Sequence, residues 1–381
     1  MGSRCVREED VRRLGLIKWQ ALPGPARYIE EVIRHLREGT HVVIAAPVFA
    51  YPFLERTFVE HLAHERWYKE HVSVDSNEDP LRCLTEKLYL EPEQWIGWSV
   101  EKLFSQIRPH YVIVIDGVTA ETWDQWRVFL QEFEAVSRHS PSDERPVLLT
   151  IVRGVSQKRL QTKSVAATTI VWSGVFGELD ALTYVDQRLR ALRKTARHHK
   201  LMVRQIAALA LWDLELADYL IAQPEREVFD ISGVLNSARK ALGREGRVVE
   251  ISWESGGLDN FDGVELLHPF ALLESGDPTK ELNRRVWAAQ AAELLPLIEM
   301  RRRELARSLE RHITCPFLID GTRQVRSLDE LEIGSLAYAT KTQGVRGELR
   351  DKAEWLARCR NTLAHLSFLD DSAAMDSRLH G

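Results

Sequence analysis

Between residues 41 and 172, short apolar runs rich in β-branched residues alternate with longer stretches in which apolar positions recur every three or four residues. The runs predict strands at HVVIAA (41–46), HVSVD (71–75), YVIVID (111–116), PVLLTIV (146–152) and TTIVW (168–172). Several are apolar throughout, as central parallel strands covered on both faces must be. The intervening LERTFVEHLAHERW and AETWDQWRVFLQEFEAVSRH carry the helical period and predict amphipathic helices. This alternation predicts an α/β domain with a parallel five-stranded sheet wrapped by helices.

After residue 185 the pattern changes. Residues 186–223 read as helical, opening with the basic RLRALRKTARHHK and ending at Pro224. Residues 225–280 are mixed, with GREGRVVEISW suggesting a turn followed by a strand. The stretch TKELNRRVWAAQAAELLPLIEMRRRELARSLERHI is helical again, with Pro296 expected to kink or divide it. RGELRDKAEWLARCRNTLAHL is the last helix, and its Trp355, Cys359, Leu363 and Leu366 predict a core-facing stripe. The organisation expected is an α/β domain over 1–185, a helical connector with a small mixed segment over 186–279, and an all-α domain over 280–381.

A length of 381 residues exceeds that of one ordinary domain and agrees with this division. A net charge of −5 excludes a wholly basic nucleic-acid coat, so any such contact must be local. The four cysteines, Cys5, Cys83, Cys315 and Cys359, form no C-x-x-C pair, which removes a zinc knuckle or disulfide framework and suits a reducing cytoplasm. No run of about 18 apolar residues offers a membrane span. MGSRC superficially suits lipidation, but the charged residues after it read as a helix start. Motifs for serine hydrolases, metalloproteases and dinucleotide binding are missing.

The five strands, the first leading into a helix and the third ending in Asp116, resemble the core of a P-loop ATPase of the AAA or STAND kind. That family places Gly-x4-Gly-Lys-Ser/Thr after the first strand, so that backbone N–H groups and an ammonium hold the phosphates. Here the stretch is AAPVFAYPFLERT: Ala46 and Tyr51 replace the glycines, and Pro52 and Phe53 replace the Lys and the hydroxyl. YVIVIDG resembles a Walker B strand with Asp116 at the metal-holding place, but Gly117 stands where a Glu usually follows. Asp116 reads alternatively as a turn or helix cap, and Arg153, near a family sensor position, as a solvated surface residue. The resemblance implies a degenerate nucleotide-binding fold serving as a docking or regulatory scaffold.

RNTLAH (360–365) resembles the Arg-x4-6-His signature of HEPN domains, all-α modules that are often metal-independent endoribonucleases. Cleaving RNA through its own 2′-OH needs a group that moves protons near neutral pH and a fixed cation for the charge growing on phosphorus, which His and Arg supply. The resemblance assigns proton transfer to His365, phosphate stabilisation to Arg360 and their orientation to Asn361. It also implies a dimer, because one copy makes an incomplete pocket. The bare spacing recurs at Arg56 to His61, Arg66 to His71, Arg193 to His198 and Arg307 to His312, so the adjacent Asn361 and the position in a final helix set Arg360 apart. IEMRRR offers Glu299 with Arg303 as a second family feature, and Arg301, Arg302 and Arg303 as RNA contacts; an intrahelical ion pair accounts for it equally. The basic helix after residue 186 reads as an interdomain element rather than a phosphate contact.

The expectation is a defence or conflict-system protein whose HEPN-like domain cleaves RNA under control of an inactive ATPase-like domain. It would act as a homodimer or larger assembly, with RNA and a separate ATPase or nuclease as partners, no membrane and no cofactor. The alternative is a non-enzymatic adaptor whose helices only dimerise and whose ATPase-like fold docks a partner.

Overall fold

The computed structural model describes residues 19–50, 54–63, 67–74, 78–88, 98–160, 164, 166–192, 198–244, 251–274, 278–319, 321 and 323–380. Tyr51, Pro52, Phe53 and the N-terminal MGSRC lie outside them. The chain forms two compact units, Ile17–Asp180 with Arg244–Ala271, and Ala181–Gly243 with Leu272–Gly381. The mixed segment read with the connector thus contributes its residues 244–271 to the α/β unit.

That unit carries α1 (Pro23–Arg37), β1 (His41–Ala46), α2 (Leu54–Leu62), β2 (Tyr68–Ser73), α3 (Pro80–Lys87), α4 (Val100–Gln106), β3 (Tyr111–Thr119), α5 (Trp123–Ser137), β4 (Val147–Arg153), α6 (Gln157–Leu160) and β5 (Ala167–Val171). The strands form one five-stranded sheet in the order β2-β3-β4-β1-β5, and every neighbouring pair is parallel. With its flanking helices it resembles a P-loop NTPase fold. β1 is buried at every position and β4 at every position but the last, as their unbroken apolar runs require. On one face Leu103 of α4 and Trp123, Trp126 and Phe133 of α5 pack on Ile113, Ile115 and Leu148. The second strand begins at Tyr68 rather than His71, with Lys69 and Glu70 only half-buried, so alternation and not a continuous apolar run marks it.

β3 is longer than its apolar run because it contains a bulge. Ile115 pairs with Thr150 and Val118 with Val152, leaving one extra residue at Asp116 and Gly117. Gly117 has φ +92°, and a Cβ on it would meet the Val74 carbonyl oxygen at 2.6 Å. Only glycine satisfies both conditions.

After β5 comes α7 (Glu178–Ala191), then α8 (His199–Ala210), α9 (Leu214–Ala222) and α10 (Ile231–Ala241). The basic stretch is therefore not part of one continuous helical run to Pro224: Leu211 turns the chain with φ +54° between α8 and α9, and Arg188 is buried against Asp218 at 2.8 Å. Of the strand expected around GREGRVVEISW, residues 245–250 lie outside the described residues, and 251–257 are mostly turns. The strands instead are the antiparallel β6 (Leu258–Phe261) and β7 (Val264–Leu267), joined by Asp262 and Gly263 at φ +53° and +82°. Two positive φ values in a two-residue loop make a primed hairpin turn, for which Asp-Gly is a favoured pair. Asp259 pins this hairpin to the loop after β5, accepting from Ser173 Oγ at 2.5 Å and the Gly174 N–H at 3.3 Å.

α11 (Pro269–Glu274) leads to α12 (Pro278–Leu309), which runs through Pro296 undivided. The helical unit then adds a small hairpin, β8 (Phe317–Ile319) with β9 (Arg323–Val325), followed by α13 (Ile333–Thr342), α14 (Glu348–Ala364), α15 (Asp371–Ala374) and α16 (Ser377–His380). Among the described residues no helix is long and apolar enough to cross a membrane.

Replacing Gly117 by Ala combines a disfavoured φ with a backbone clash, and should cost about 2 kcal/mol or more in chemical denaturation. His41, fully buried, accepts the Leu148 N–H at Nδ1 (3.1 Å) and meets Ser137 Oγ at Nε2 (2.8 Å). Burial, helped by Arg145, lowers its pKa from 6.5 to about 3. The unfolded chain therefore takes up this proton first, so stability is complete above about pH 6.5 and falls as the pH drops toward 3, by about 1.4 kcal/mol per pH unit. Unfolding titrations of His41→Gln should show a shallower acid limb than the parent.

Candidate functional sites

In a parallel sheet ligands sit beyond the carboxyl ends of the strands. Here the ends of β1, β3 and β4 come together because Ala46 and Thr119 both pair with Arg153. Ala46 is buried and offers only backbone. The chain after it is held by protein contacts: the Ala50 N–H donates to the Pro47 carbonyl at 3.1 Å, and the Val48 N–H to the Glu254 carbonyl at 2.9 Å. The Arg244 guanidinium lies 5.0 Å from the Phe49 ring centre, and a Cβ on Gly256 would touch Phe49 at 3.2 Å. Arg244 and the segment 251–257 thus brace the turn after β1.

Three charged side chains meet at this end. Glu55, in the first turn of α2, and Asp116, on the bulge of β3, both face Arg153 at the end of β4. Arg153 Nη2 is 3.9 Å from Glu55 Oε2, and Arg153 Nε is 3.8 Å from Asp116 Oδ1. The side chains are 17% (Arg153), 14% (Glu55) and 21% (Asp116) exposed. These are ion-pair separations, beyond hydrogen-bond reach. Glu55 Oε2 and Asp116 Oδ1 are buried and have no hydrogen-bond partner among the described residues. Burial raises the Glu55 pKa, its own backbone N–H opposes this, the Asp116 charge adds to it, and Arg153 and His71 pull it back.

Asp116 is therefore neither a turn residue nor a helix cap, and Arg153 is not a solvated surface residue. The bulge turns Asp116 inward, and the last position of a buried strand carries Arg153 with it. Glu55 is absent from the sequence-level candidates. Its signal is an acid in the first turn of the helix that, in a phosphate-binding loop, would follow the ammonium.

In the helical unit, Arg360, Asn361 and His365 share the C-terminal end of α14. The helix stops at Ala364 and His365 is its C-cap, so the trio does not lie on an unbroken helix. Trp355, Cys359 and Leu363 are buried as the stripe predicts, but Leu366 is 68% exposed, because the chain reverses there at φ +59°. α12 holds this turn on both sides. Trp287 Nε1 donates to the Leu363 carbonyl at 2.6 Å, while the Gln290 amide exchanges two hydrogen bonds with the Leu369 backbone at 3.0 and 2.7 Å. Arg360 reaches Glu332 at 3.5 Å and Asn361 Oδ1 at 3.5 Å, both in exposed surroundings. Burial pushes the Cys359 thiol up to about 11, so it is no nucleophile.

The neighbouring arginines have separate roles. Arg302 is 5% exposed; it grips both Glu299 oxygens at 2.9 and 2.7 Å and donates to the Asp329 and Leu331 carbonyls at 3.2 and 2.9 Å. It is a tie between α12 and the turn before α13. Arg301 donates to the Leu379 carbonyl at 2.8 Å and pairs with Glu304. Arg303 alone of the three is well exposed, 3.3 Å from Glu299. Its hydrogen bonds with Arg302, foremost, hold the Glu299 carboxyl below its ordinary range.

No protein-family model matches the chain, and no curated protein does. Solved structures similar to it include Drosophila ORC bound to DNA, 14% identical over 88% of this chain and 84% of that chain, with a TM-score of 0.33. A single-residue variant of Thermotoga maritima RuvB is 11% identical over 70% of this chain and 93% of that chain, with a TM-score of 0.28. The Thermotoga maritima RuvB Holliday junction branch migration motor is 11% identical over 70% and 94%, at 0.27. The fold is defined by the strand order and parallel register given above.

Arg302→Ala should cost about 2–3 kcal/mol in urea denaturation, since the buried Leu331 carbonyl and the half-buried Asp329 carbonyl lose their donor and Glu299 its main partner. Arg303→Ala should stay within about 0.5 kcal/mol of the parent.

Proposed function

We propose that the helical unit is a HEPN-like, metal-independent endoribonuclease of a defence or conflict system, and that the α/β unit is a scaffold that turns over no nucleotide. The observation that carries the first part is that Arg360, Asn361 and His365 lie together at the end of α14, next to a turn that α12 ties down. The brace on the turn after β1 and the ion triad at the end of the sheet support the second.

Transesterification at RNA removes one proton from the 2′-oxygen and delivers one to the departing 5′-oxygen. A single imidazole performs one of these transfers at a time. Two copies facing each other would bring two His365 side chains, one accepting and one donating, with the paired Arg360 side chains neutralising the pentavalent phosphorus between them. This is why the reading includes a homodimer. Exposed Leu366 beside His365 supplies apolar surface for such a contact. The adaptor reading has its own support: Arg360 is already engaged by Glu332 and Asn361.

The test is incubation of pure protein with total and transfer RNA in EDTA, followed by mapping of the cut ends. The parent should leave 2′,3′-cyclic phosphate ends, and His365→Ala should be slower by about 100-fold or more. Cleavage that persists in His365→Ala removes that residue from the mechanism. Intact RNA with every form transfers the assignment to an adaptor that docks a separate ATPase or nuclease.

A further inference from the structure

Glu55 and Asp116 come from different elements, one from a helix start and one from a strand bulge, yet each turns a buried oxygen with no hydrogen-bond partner among the described residues toward the same guanidinium. Two carboxylates brought together out of water repel each other and lose hydration, so this arrangement requires a cation between them. We propose that Arg153 is that cation: a built-in counter-ion that takes the place between the two carboxylates which a bound metal ion could otherwise occupy, so that the pair needs no metal. The proposal rests on reading this unit as a scaffold.

Three observations lead there. The anchor of Arg153 is rigid, because its backbone is flanked by Ala46 and Thr119 and the following Gly154, at φ +71°, donates to the Ala46 carbonyl at 2.9 Å. The bulge at Gly117 does the complementary work of aiming Asp116 at it. Finally, separations of 3.8 and 3.9 Å give charge compensation without hydrogen bonds, so the oxygens keep lone pairs that a hard cation could use once the guanidinium is gone. Arg153 thus compensates the pair and at the same time excludes a metal. A partial positive contribution comes from His71, which also favours ionised Glu55.

Parent, Arg153→Lys, Arg153→Gln and Arg153→Gln/Asp116→Asn proteins would be compared by thermal melting with and without millimolar Mn2+, and by electron paramagnetic resonance of the bound Mn2+, all without nucleotide. The parent and Arg153→Lys should ignore the ion. Arg153→Gln should melt lower, bind Mn2+ and recover part of the loss, and the double variant should show no binding. Mn2+ bound by the parent through Asp116, or Arg153→Gln that melts like the parent and ignores Mn2+, would overturn the proposal. If Arg153→Gln does not fold, adding Glu55→Gln and Asp116→Asn to it should restore folding; failure of that neutral form to fold also counts against the idea. Adding ATP and magnesium to the parent separates the two claims. A nucleotide-dependent rise in its melting point would sink the scaffold reading, while the Mn2+ result in Arg153→Gln still decides the role of Arg153.

Discussion

The carboxyl end of the sheet in the α/β unit is organised around one guanidinium that faces two carboxylates from different elements. An uncompensated charge at a largely buried site is costly, and several backbone features act together to hold the arrangement. β3 accommodates an extra residue at a glycine, β4 ends with Arg153 flush against Ala46, and α2 starts so that Glu55 falls in its first turn. The segment 251–257 then closes the turn after β1 from outside. Beside that turn Phe49 packs against Arg244 and Gly256.

The helical unit is built on a different device, a set of polar ties from α12. Trp287 and Gln290 hold the turn after α14, Arg302 holds the turn before α13, and Arg301 holds the C-terminal helix. Each donates to backbone carbonyls left open where a helix or turn ends, which is where such groups need partners. The consequence for function is that His365 and Arg360 sit on a fixed platform although both are accessible. A platform of this kind suits a site completed by a second surface, catalytic or merely adhesive.

Of the arginines in these units, those with direct structural duties could not be told from the rest by spacing. Arg301, Arg302 and Arg303 are consecutive, and a helix sends them in three directions about 100° apart. One points into the turn before α13, one toward the chain end and one to solvent, and only the neighbours contributed by distant residues distinguish them. The same applies to Arg153, whose environment is assembled from Glu55 and Asp116 on two other elements, each far from it along the chain.

From the sequence alone the parallel sheet was legible, since β1, β3 and β4 carry apolar runs and a strand covered on both faces has to. The buried stripe at Trp355, Cys359 and Leu363 was legible too, as was the adjacency of Arg360 and Asn361. The β6–β7 hairpin was within reach through its Asp-Gly pair. Tertiary structure alone decided the bulge that turns Asp116 inward, the return of residues 244–271 to the first unit, the exposure of Leu366 and the fate of each arginine. The physical reason is range: hydrophobic periodicity records which face of an element leaves water, and that is a local property of the chain. Which charge meets which depends on where distant backbone ends, and a one-residue change in a strand or turn redirects it.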